Sequence, residues 1–312
     1  MKALLEVKDL KKSFGSRQAV DGISFEVEEG DVFGLLGPNG AGKSTTLSMI
    51  CGLLKANSGS VTVGGYDIAA ESMAAKKLIG IVPQEPALYT QLSAKANLRF
   101  WGRINGLRGK ELNRAVDEVL DLVGLTDRAS GRIGKFSGGM KRRLNIAAGL
   151  IHSPKLLIMD EPTVGIDPQS RNHILETVKN LKQKGITVIY TSHYVEEVEA
   201  LCNQVAIMDN GTIIAEGSLA ELQKKGGQFQ ELNIDLNSYP EKAQSAIQML
   251  PGVEETFLID QKLKIVTPNA EQILPLALEA ISRQGVTIGE IKIHKPNLES
   301  LFLKLTGKAL RD

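Results

Sequence analysis

The sequence predicts an α/β protein with a mostly parallel sheet, a helical insert and a small α+β domain at its C-terminal end. Short aliphatic runs alternate with helical patterns from Leu4 to about Gly217, as in a parallel sheet with helices on both faces. Between about residues 90 and 150 apolar residues recur mainly at helical spacing, which predicts a helical subdomain. After Ser218 the pattern restarts with different content, which indicates a second domain.

The bulk composition is that of a folded protein. The chain has 312 residues, 42% of them hydrophobic, and its 37 basic residues nearly balance 36 acidic ones. Because no long basic run occurs, the charge pattern argues against nucleic acid as a partner. No apolar stretch approaches the roughly 20 residues of a membrane span, and acidic charge follows the N-terminus too soon for a secretory signal. We therefore expect a soluble, intracellular chain whose two cysteines, Cys51 and Cys202, are core residues.

A phosphate-binding loop follows the first fully apolar run, at 32–36. Residues 37–45 read Gly-Pro-Asn-Gly-Ala-Gly-Lys-Ser-Thr and fit the pattern G-x-x-x-x-G-K-[ST] at every fixed position. The glycines let backbone N–H groups point at phosphate oxygens, at the start of a helix expected from Lys43 to Leu54. Lys43 would neutralise the terminal phosphates and Ser44 would hold Mg²⁺. A Gly-rich turn that caps an ordinary helix, the alternative, needs neither the Lys-Ser pair nor the strand.

The candidate nucleotide-binding residues of this loop are Gly37, Pro38, Asn39, Gly40, Ala41, Gly42, Lys43, Ser44 and Thr45.

Two carboxylates end another apolar run, at 156–159. Asp160 emerges where it can help to hold Mg²⁺, and Glu161 can polarise a water molecule for attack on the γ-phosphorus. The alternative is a pair of solvated acids at a strand end. Further runs at 187–190 and 205–208 predict successive strands of the same sheet.

A second anion-binding arrangement precedes the acidic strand. Ser137, Gly138 and Gly139 open a helix that is expected to run to about His152, and a helix N-terminus favours negative charge. Taken alone, Ser-Gly-Gly is more often a cap and a turn than a ligand site.

Taken in their order, these motifs strongly resemble the ATP-binding cassette (ABC) family, specifically the ATP-binding subunit of an ABC transporter. The resemblance covers residues 4–217 and adds further matches to the phosphate loop and the acidic strand end. Gln84 matches the family's glutamine loop, residues 136–140 its signature, Asp167 its aspartate loop and His193 its switch histidine.

The resemblance implies a P-loop NTPase core that binds ATP and Mg²⁺ and hydrolyses ATP to ADP and phosphate. Glu161, His193 and Gln84 would be catalytic, with His193 hydrogen-bonded to the γ-phosphate. Ser44, Gln84 and Asp160 would hold the metal.

The resemblance also implies two chains face to face, with ATP between the phosphate loop of one and the signature of the other. Ser137, Gly138 and Gly139 would then contact the partner's nucleotide, and Asp167 would act across the dimer interface. Phe14 lies where the family places an aromatic that stacks on adenine, and its alternative is an ordinary core Phe.

The sequence departs from the commonest family pattern at three positions, and two segments resemble one subgroup of the family. Met140 replaces a glutamine of the signature, Phe14 stands where Tyr is usual, and Ile166 where Leu is usual. Phe-Ser-Gly-Gly-Met-Lys-Arg-Arg at 136–143 and the closing segment 297–307 are similar to exporters of drugs, antibiotics, lipids or polysaccharides.

The partners implied by the resemblance are transmembrane permease subunits and a second copy of the chain or a paralogous ATP-binding subunit. The chain would lie on the cytoplasmic face of the cell membrane, bound through the permease. Phe100 and Trp101 would belong either to the permease-docking surface or to packing within the helical insert.

Two other functions fit the sequence less well. A soluble ABC ATPase that acts on ribosomes or nucleic acid usually has two cassettes or a long coiled coil, whereas this chain has one cassette and no heptads. A nucleotide-dependent sensor without turnover is disfavoured by Glu161 and His193.

The domain boundary is expected near residue 225, with the ATP-binding domain at 1–225 and an accessory α+β domain at 226–312. The apolar pattern after the boundary predicts the order β-α-β-β-α-β, which is typical of a ferredoxin-like module. Asn297 is expected to cap a last helix whose apolar face contains Leu298, Leu301 and Phe302.

Overall fold

The computed structural model describes residues 3–226, 230–237, 240–259, 261–294 and 298–306. The chain divides into two compact units, Met1–Ile214 and Ala215–Asp312. The boundary near residue 225 and the accessory role of the second domain stay predictions. No helix in the described ranges has both the length and the apolar character needed to cross a membrane.

A six-stranded sheet forms the centre of the first unit, in the order β10-β9-β3-β8-β7-β6. Every pairing among β3, β6, β7, β8 and β9 is parallel. Strands β3, β7 and β8 are buried along their whole length, as expected for parallel strands that have helices on both faces. The predicted α/β fold with a mostly parallel sheet is thereby confirmed. The strands are β3 (Val32–Leu36), β6 (Ile79–Val82), β7 (Leu156–Met159), β8 (Thr187–Ser192), β9 (Gln204–Asp209) and β10 (Thr212–Ser218).

A separate antiparallel sheet, in the order β2-β1-β4-β5, precedes and follows the phosphate loop in sequence. The alternating pattern of the sequence did not distinguish this sheet from the parallel one. Phe25 of β2 stacks on Phe33 of β3 with ring centroids 5.0 Å apart, so the two sheets share one core. The strands are β1 (Ala3–Phe14), β2 (Arg17–Glu28), β4 (Ser58–Val63) and β5 (Tyr66–Asp67).

Seven α-helices belong to the described part of the first unit. Helix α1 ends at Ile50 rather than at Leu54 as expected, because Gly52 takes a left-handed conformation with φ 62°. The helical insert contains α3, α4 and α5. Ser93 caps α3 and Ser137 caps α5, and each hydroxyl accepts a backbone N–H bond. The helices are α1 (Lys43–Ile50), α2 (Ser72–Lys77), α3 (Ala94–Ile104), α4 (Gly109–Leu122), α5 (Gly138–Leu150), α6 (Pro168–Gln183) and α7 (Val195–Leu201).

Both cysteines are free and buried, as the sequence predicted. Burial raises the pKa of the Cys51 thiol to about 12 and also raises the pKa of Cys202. Both side chains are therefore neutral packing groups.

The second unit contains an antiparallel sheet in the order β12-β13-β11-β14. Its core is formed by aliphatic residues of β11 and β13 and of the helices α9 and α10. The assignment as a ferredoxin-like accessory domain stays a prediction, and Asn297 lies outside the described residues. The elements are α8 (Leu219–Gly226), β11 (Gln230–Leu236), α9 (Pro240–Gln248), β12 (Glu255–Ile259), β13 (Lys262–Thr267), α10 (Ala270–Arg283), β14 (Ile288–His294) and α11 (Leu298–Thr306).

Candidate functional site

The phosphate loop connects the end of β3 to the start of α1. A side chain at Gly37 would collide with the backbone carbonyl of Met208, and one at Gly42 with that of Ala19. Gly42 also has φ +105°, a conformation that side chains disfavour. Glycine is therefore required at both positions for the loop to pack between β9 and β2.

The ammonium group of Lys43 lies at the centre of the loop. Its Nζ donates to the carbonyl oxygens of Gly37 at 2.7 Å and Pro38 at 3.1 Å. It also forms an ion pair with Oε1 of Glu161 at 3.1 Å, and both side chains are buried. Since a buried charge is costly without a partner, each of these two groups stabilises the other.

Glu161 follows the buried strand β7 in a left-handed backbone conformation with φ 45°. Its N–H donates to the hydroxyl of Thr191 at 2.9 Å, and that hydroxyl lies 2.9 Å from Oδ1 of Asp160, to which it donates. Non-glycine residues in this conformation carry a cost of about 1–3 kcal/mol and cluster at functional sites. Thr191 therefore fixes both carboxylate residues.

His193 follows the end of β8 and lies beside Glu161. Its Nδ1 lies 3.6 Å from Oε2 of Glu161 and is buried without a hydrogen-bond partner among the described residues. The structure thus brings Lys43, Glu161 and His193 together from three neighbouring segments of the sheet. This is the edge at which ligands bind in open α/β sheets.

A cleft of about 590 Å³ opens beside these groups. Phe14 is 52% exposed, so the alternative of an ordinary core Phe is excluded. Gln84, two positions after the end of β6, also lines the cleft. The predicted residues that line it are Phe14, Asn39, Gly40, Gly42, Lys43, Ser44, Thr45, Gln84 and Glu161.

The signature and the aspartate loop lie together and do not line this cleft. Ser137 caps α5 by accepting from the N–H of Met140, and Asp167 caps α6 by accepting from the N–H of Ser170. A side chain at Gly139 would collide with Ser170, so the two helix starts are in close contact. None of Ser137, Gly138, Gly139 and Asp167 lines the cleft.

The cleft offers oxygen ligands of the type that Mg²⁺ prefers. Ser44 and Gln84 line the cleft and are exposed residues, so their side-chain oxygens are available to it. Asp160 is partly exposed but is not among the residues that line the cleft, and its Oδ1 accepts from the hydroxyl of Thr191. Mg²⁺ is usually held by one or two protein oxygens together with substrate phosphates, so Ser44 and Gln84 fit the metal.

Sequence reasoning missed two residues in direct contact with the site. Arg17 lines the cleft, and a side-chain atom at Gly40 would lie 3.5 Å from its guanidinium. Thr191 stands two positions before His193 in the same motif, and its hydroxyl orders Asp160 and Glu161. Its position at the end of a buried strand was a usable signal, whereas nothing local identified Arg17.

A buried carboxylate behind the site was also missed. Oε2 of Glu197 accepts hydrogen bonds from Thr163, Tyr190 and Ser192 at 2.8–3.0 Å, and Oε1 pairs with Arg171 at 2.5 Å. Burial, followed by the Glu197 charge, raises the pKa of Tyr190 well above its usual value. This network connects α6 and α7 to the segments that follow β7 and end β8.

Comparison with known proteins identifies the family. Residues 20–164 match the family described as ABC transporter. The chain is 50% identical to the linearmycin resistance ATP-binding protein LnrL of Bacillus subtilis (strain 168) over 99% of its own length and 100% of the relative's. It is 37% identical to the Nod factor export ATP-binding protein I of Rhizobium sp. (strain N33), and the alignment covers 99% of each chain.

Solved structures agree with this match. A structure described as the ATP-binding subunit of an ABC transporter superposes with a TM-score of 0.65 and 32% identity, over 72% of this chain and 93% of that one. An ATP-binding cassette of an ABC transporter in its ADP conformation gives a TM-score of 0.65 and 30% identity, over 71% and 93% of the two chains.

Members of this family bind ATP and ADP, dimerise and work with transmembrane permeases. The relatives support the transporter interpretation over the one that involves ribosomes or nucleic acid. This chain therefore belongs to the ABC transporter family, as an ATP-binding and ATP-hydrolysing subunit.

Proposed function

We propose that the chain powers export of a small molecule through a separate permease, and that the cleft at the phosphate loop is its catalytic site. The observation that carries the proposal is the convergence of Lys43 and His193 on Glu161. Nζ of Lys43 lies 3.1 Å from Oε1 of Glu161, and Nδ1 of His193 lies 3.6 Å from its Oε2. A cation for the phosphates, a carboxylate for the water and an imidazole beside it form a set suited to phosphoanhydride hydrolysis.

Each of these groups has a distinct role in the proposal. Lys43 binds the β- and γ-phosphates, and in doing so turns from Glu161 toward the nucleotide. Glu161 then orients the attacking water and takes its proton, and His193 contacts the γ-phosphate. Phe14 stacks on the adenine at the open end of the cleft.

Ser44, Gln84 and Asp160 are proposed to hold Mg²⁺, which would neutralise charge on the phosphate oxygens. Gln84 also links the nucleotide to the permease in this proposal, because it lines the cleft and lies in the exposed segment that connects β6 of the sheet to α3 of the helical insert.

The proposal includes a shared site between two chains. The loop at 37–45 already provides a full set of backbone donors for one nucleotide, while Ser137 and its glycines provide a second set elsewhere on the same chain. Two such sets on one chain support a dimer in which the signature contacts the nucleotide of the partner. Asp167 acts across the same interface, and the partner is a second copy or a paralogous subunit.

Export is supported by the relatives, which are named for resistance to linearmycin and for Nod factor export. We propose that the exported molecule is an antibiotic to which the transporter confers resistance, because the 50% identity to the linearmycin resistance protein extends over 99% of the chain. The chain would then lie on the cytoplasmic face of the membrane, bound through its permease.

The test is co-expression with the permease encoded beside it in a drug-sensitive host. The pair should raise resistance to the exported compound, and the Glu161→Gln chain with the same permease should not. Equal resistance with both chains would contradict ATP-driven export through this site.

A further inference from the structure

One buried side chain of α5 bonds to both ends of the glutamine loop, here residues 83–87. Gln84, its neighbours Glu85 and Pro86, and Ala87 are exposed, yet the two ends of the loop are joined through Asn145. The N–H of Ala87 donates to Oδ1 of Asn145 at 3.1 Å, and Nδ2 of Asn145 donates to the carbonyl oxygen of Pro83 at 3.2 Å.

Two further bonds reinforce this closure. Nη1 of Arg142 donates to the carbonyl oxygen of Pro83 at 2.9 Å, and Nε1 of Trp101 donates to that of Ala87 at 3.1 Å. Asn145 is 2% exposed and Arg142 is 4% exposed, so the side-chain ends of three of these bonds are buried, whereas Ala87 is exposed. Loss of the Asn145 amide would remove the partner of the Ala87 N–H and one of the two donors to the Pro83 carbonyl oxygen.

The closure attaches the loop to the helix that carries the signature. Arg142 and Asn145 are three positions apart and therefore lie on one face of α5. The same helix begins at Gly138, next to its cap Ser137. The loop, in contrast, leaves the central sheet at Val82, where β6 ends.

We propose that Asn145 is a positioning residue that transmits a displacement of Gln84 to the signature of the same chain. The inference rests on the proposed function, in which Gln84 responds to the chain's own nucleotide and Ser137 to Gly139 serve the partner's. Because a helix moves as a rigid body, a pull on Asn145 displaces the N-terminus of α5 as well. ATP in one cleft thereby prepares the signature for the other cleft, which makes hydrolysis cooperative in ATP.

The chain contains a matched control for this side chain. Asn97 is fully buried, its Oδ1 accepts from the N–H of Tyr89 at 2.7 Å, and its Nδ2 donates to the carbonyl oxygens of Tyr89 and Ser93. Like Asn145, it joins two points of the segment between β6 and α3 through its side-chain amide. Its hydrogen bonds within the described residues go to Tyr89 and Ser93 and not to Pro83 or Ala87 at the ends of the glutamine loop.

The experiment compares full-length parent, Asn145→Ala and Asn97→Ala chains. ATP titrations of hydrolysis give kcat, KM and the Hill coefficient, equilibrium binding of a fluorescent ATP analogue gives affinity, and hydrogen exchange reports the Ala87 N–H. We expect Asn145→Ala to expose that N–H, lower kcat about fivefold or more and bring the Hill coefficient toward about 1, while affinity changes less than about twofold. Asn97→Ala should keep the parent's Hill coefficient.

Two results would overturn the proposal. One is a parent-like Hill coefficient and kcat in Asn145→Ala although the Ala87 N–H exchanges freely, and the other is a parent that hydrolyses ATP without cooperativity. A parent with no ATP hydrolysis at all would instead refute the proposed function. If Asn145→Ala does not fold, Trp101→Phe is the second variant, because it removes the bond to the Ala87 carbonyl oxygen. It should also lower the Hill coefficient. An unchanged Hill coefficient in Trp101→Phe would refute the inference.

Discussion

Lys43 and Glu161 form a buried ion pair, with Nζ 3.1 Å from Oε1, at the point where the phosphates of a nucleotide would bind. The phosphate loop and the acidic strand end, far apart in sequence, therefore share one charged contact. In the proposed mechanism a bound triphosphate competes with Glu161 for the ammonium, and this exchange frees the carboxylate to act on water. The ion pair would then make the activity of the proposed base depend on nucleotide binding.

Replacement of Lys43 by Ala should abolish ATP hydrolysis and weaken ATP binding at least about tenfold, because its ammonium is the fixed cation of the loop. It also leaves Glu161 as a buried carboxylate without its partner, so the melting temperature should fall. The double variant Lys43→Ala/Glu161→Gln should regain part of that loss, since the neutral amide needs no counter-charge. Calorimetry and nucleotide titration measure both effects. Near-normal turnover in Lys43→Ala would contradict the phosphate-loop assignment.

Replacement of Glu161 by Gln should preserve ATP binding and lower kcat by about 10²–10⁴, because the proposed general base is lost. Trapped ATP should hold two chains together, so size-exclusion chromatography with ATP and Mg²⁺ should show a dimer. The same run with ADP is the control and should show monomers. Parent-like hydrolysis would place the base elsewhere.

Replacement of Thr191 by Val removes the hydroxyl between Oδ1 of Asp160 and the N–H of Glu161. We expect kcat to fall about tenfold or more through misplacement of the base, and the free energy of unfolding to fall by about 1–3 kcal/mol. Thr177→Val is the matched control, because Thr177 is a buried threonine whose hydroxyl donates to the carbonyl oxygen of His173, outside the site. It should show the stability loss alone. Equal kcat in the two variants would argue against a positioning role for Thr191.

Replacement of Gly138 by Asp should block ATP-driven dimerisation and hydrolysis while ATP binding to the single chain survives. A side chain fits there, since its nearest neighbour would be Ile166 at 3.8 Å, so the effect comes from charge near the partner's phosphate. Gly138→Asn separates charge from size and should be impaired less. Mixing Gly138→Asp with Lys43→Ala chains should restore some hydrolysis, because one composite site then has both working halves. Loss of binding to the single chain in Gly138→Asp would refute the shared site.

A chain that ends at Lys225 should bind ATP within about twofold of the full chain, because every candidate site residue precedes that position and the later unit has its own core. Circular dichroism shows whether the shortened chain is folded, and a nucleotide titration gives the affinity. If a folded short chain fails to bind ATP, residues after 225 help to form the site.

The parts of the fold that could be predicted are those determined by residues that are contiguous in sequence. The phosphate loop was placed between its strand and helix because the motif, the apolar run and the glycines are contiguous. The strand before Asp160 was recognised for the same reason. In contrast, the antiparallel sheet of β1, β2, β4 and β5 depends on pairings between distant segments, which periodicity does not specify.

The unpredicted parts of the site have the same origin. Thr191, Glu197 and Asn145 each bond to a residue that is remote in sequence, so no spacing rule predicts these contacts, and nothing local identifies Arg17. Asn145 in particular occurs in a helix interior, where its sequence context gives no reason to expect bonds to a loop some 60 positions away. Only the folded chain shows which backbone groups its amide satisfies.

Because Cys51 and Cys202 are both buried, a cysteine added to the native chain can be labelled site-specifically. Burial raises the pKa of the Cys51 thiol to about 12, so it stays protonated at neutral pH, whereas alkylating probes react with the thiolate. A cysteine introduced at an exposed position would then react selectively, without prior removal of the native pair. Opening and closing of the proposed dimer could therefore be followed by spectroscopic distance measurements in a chain that is otherwise unmodified.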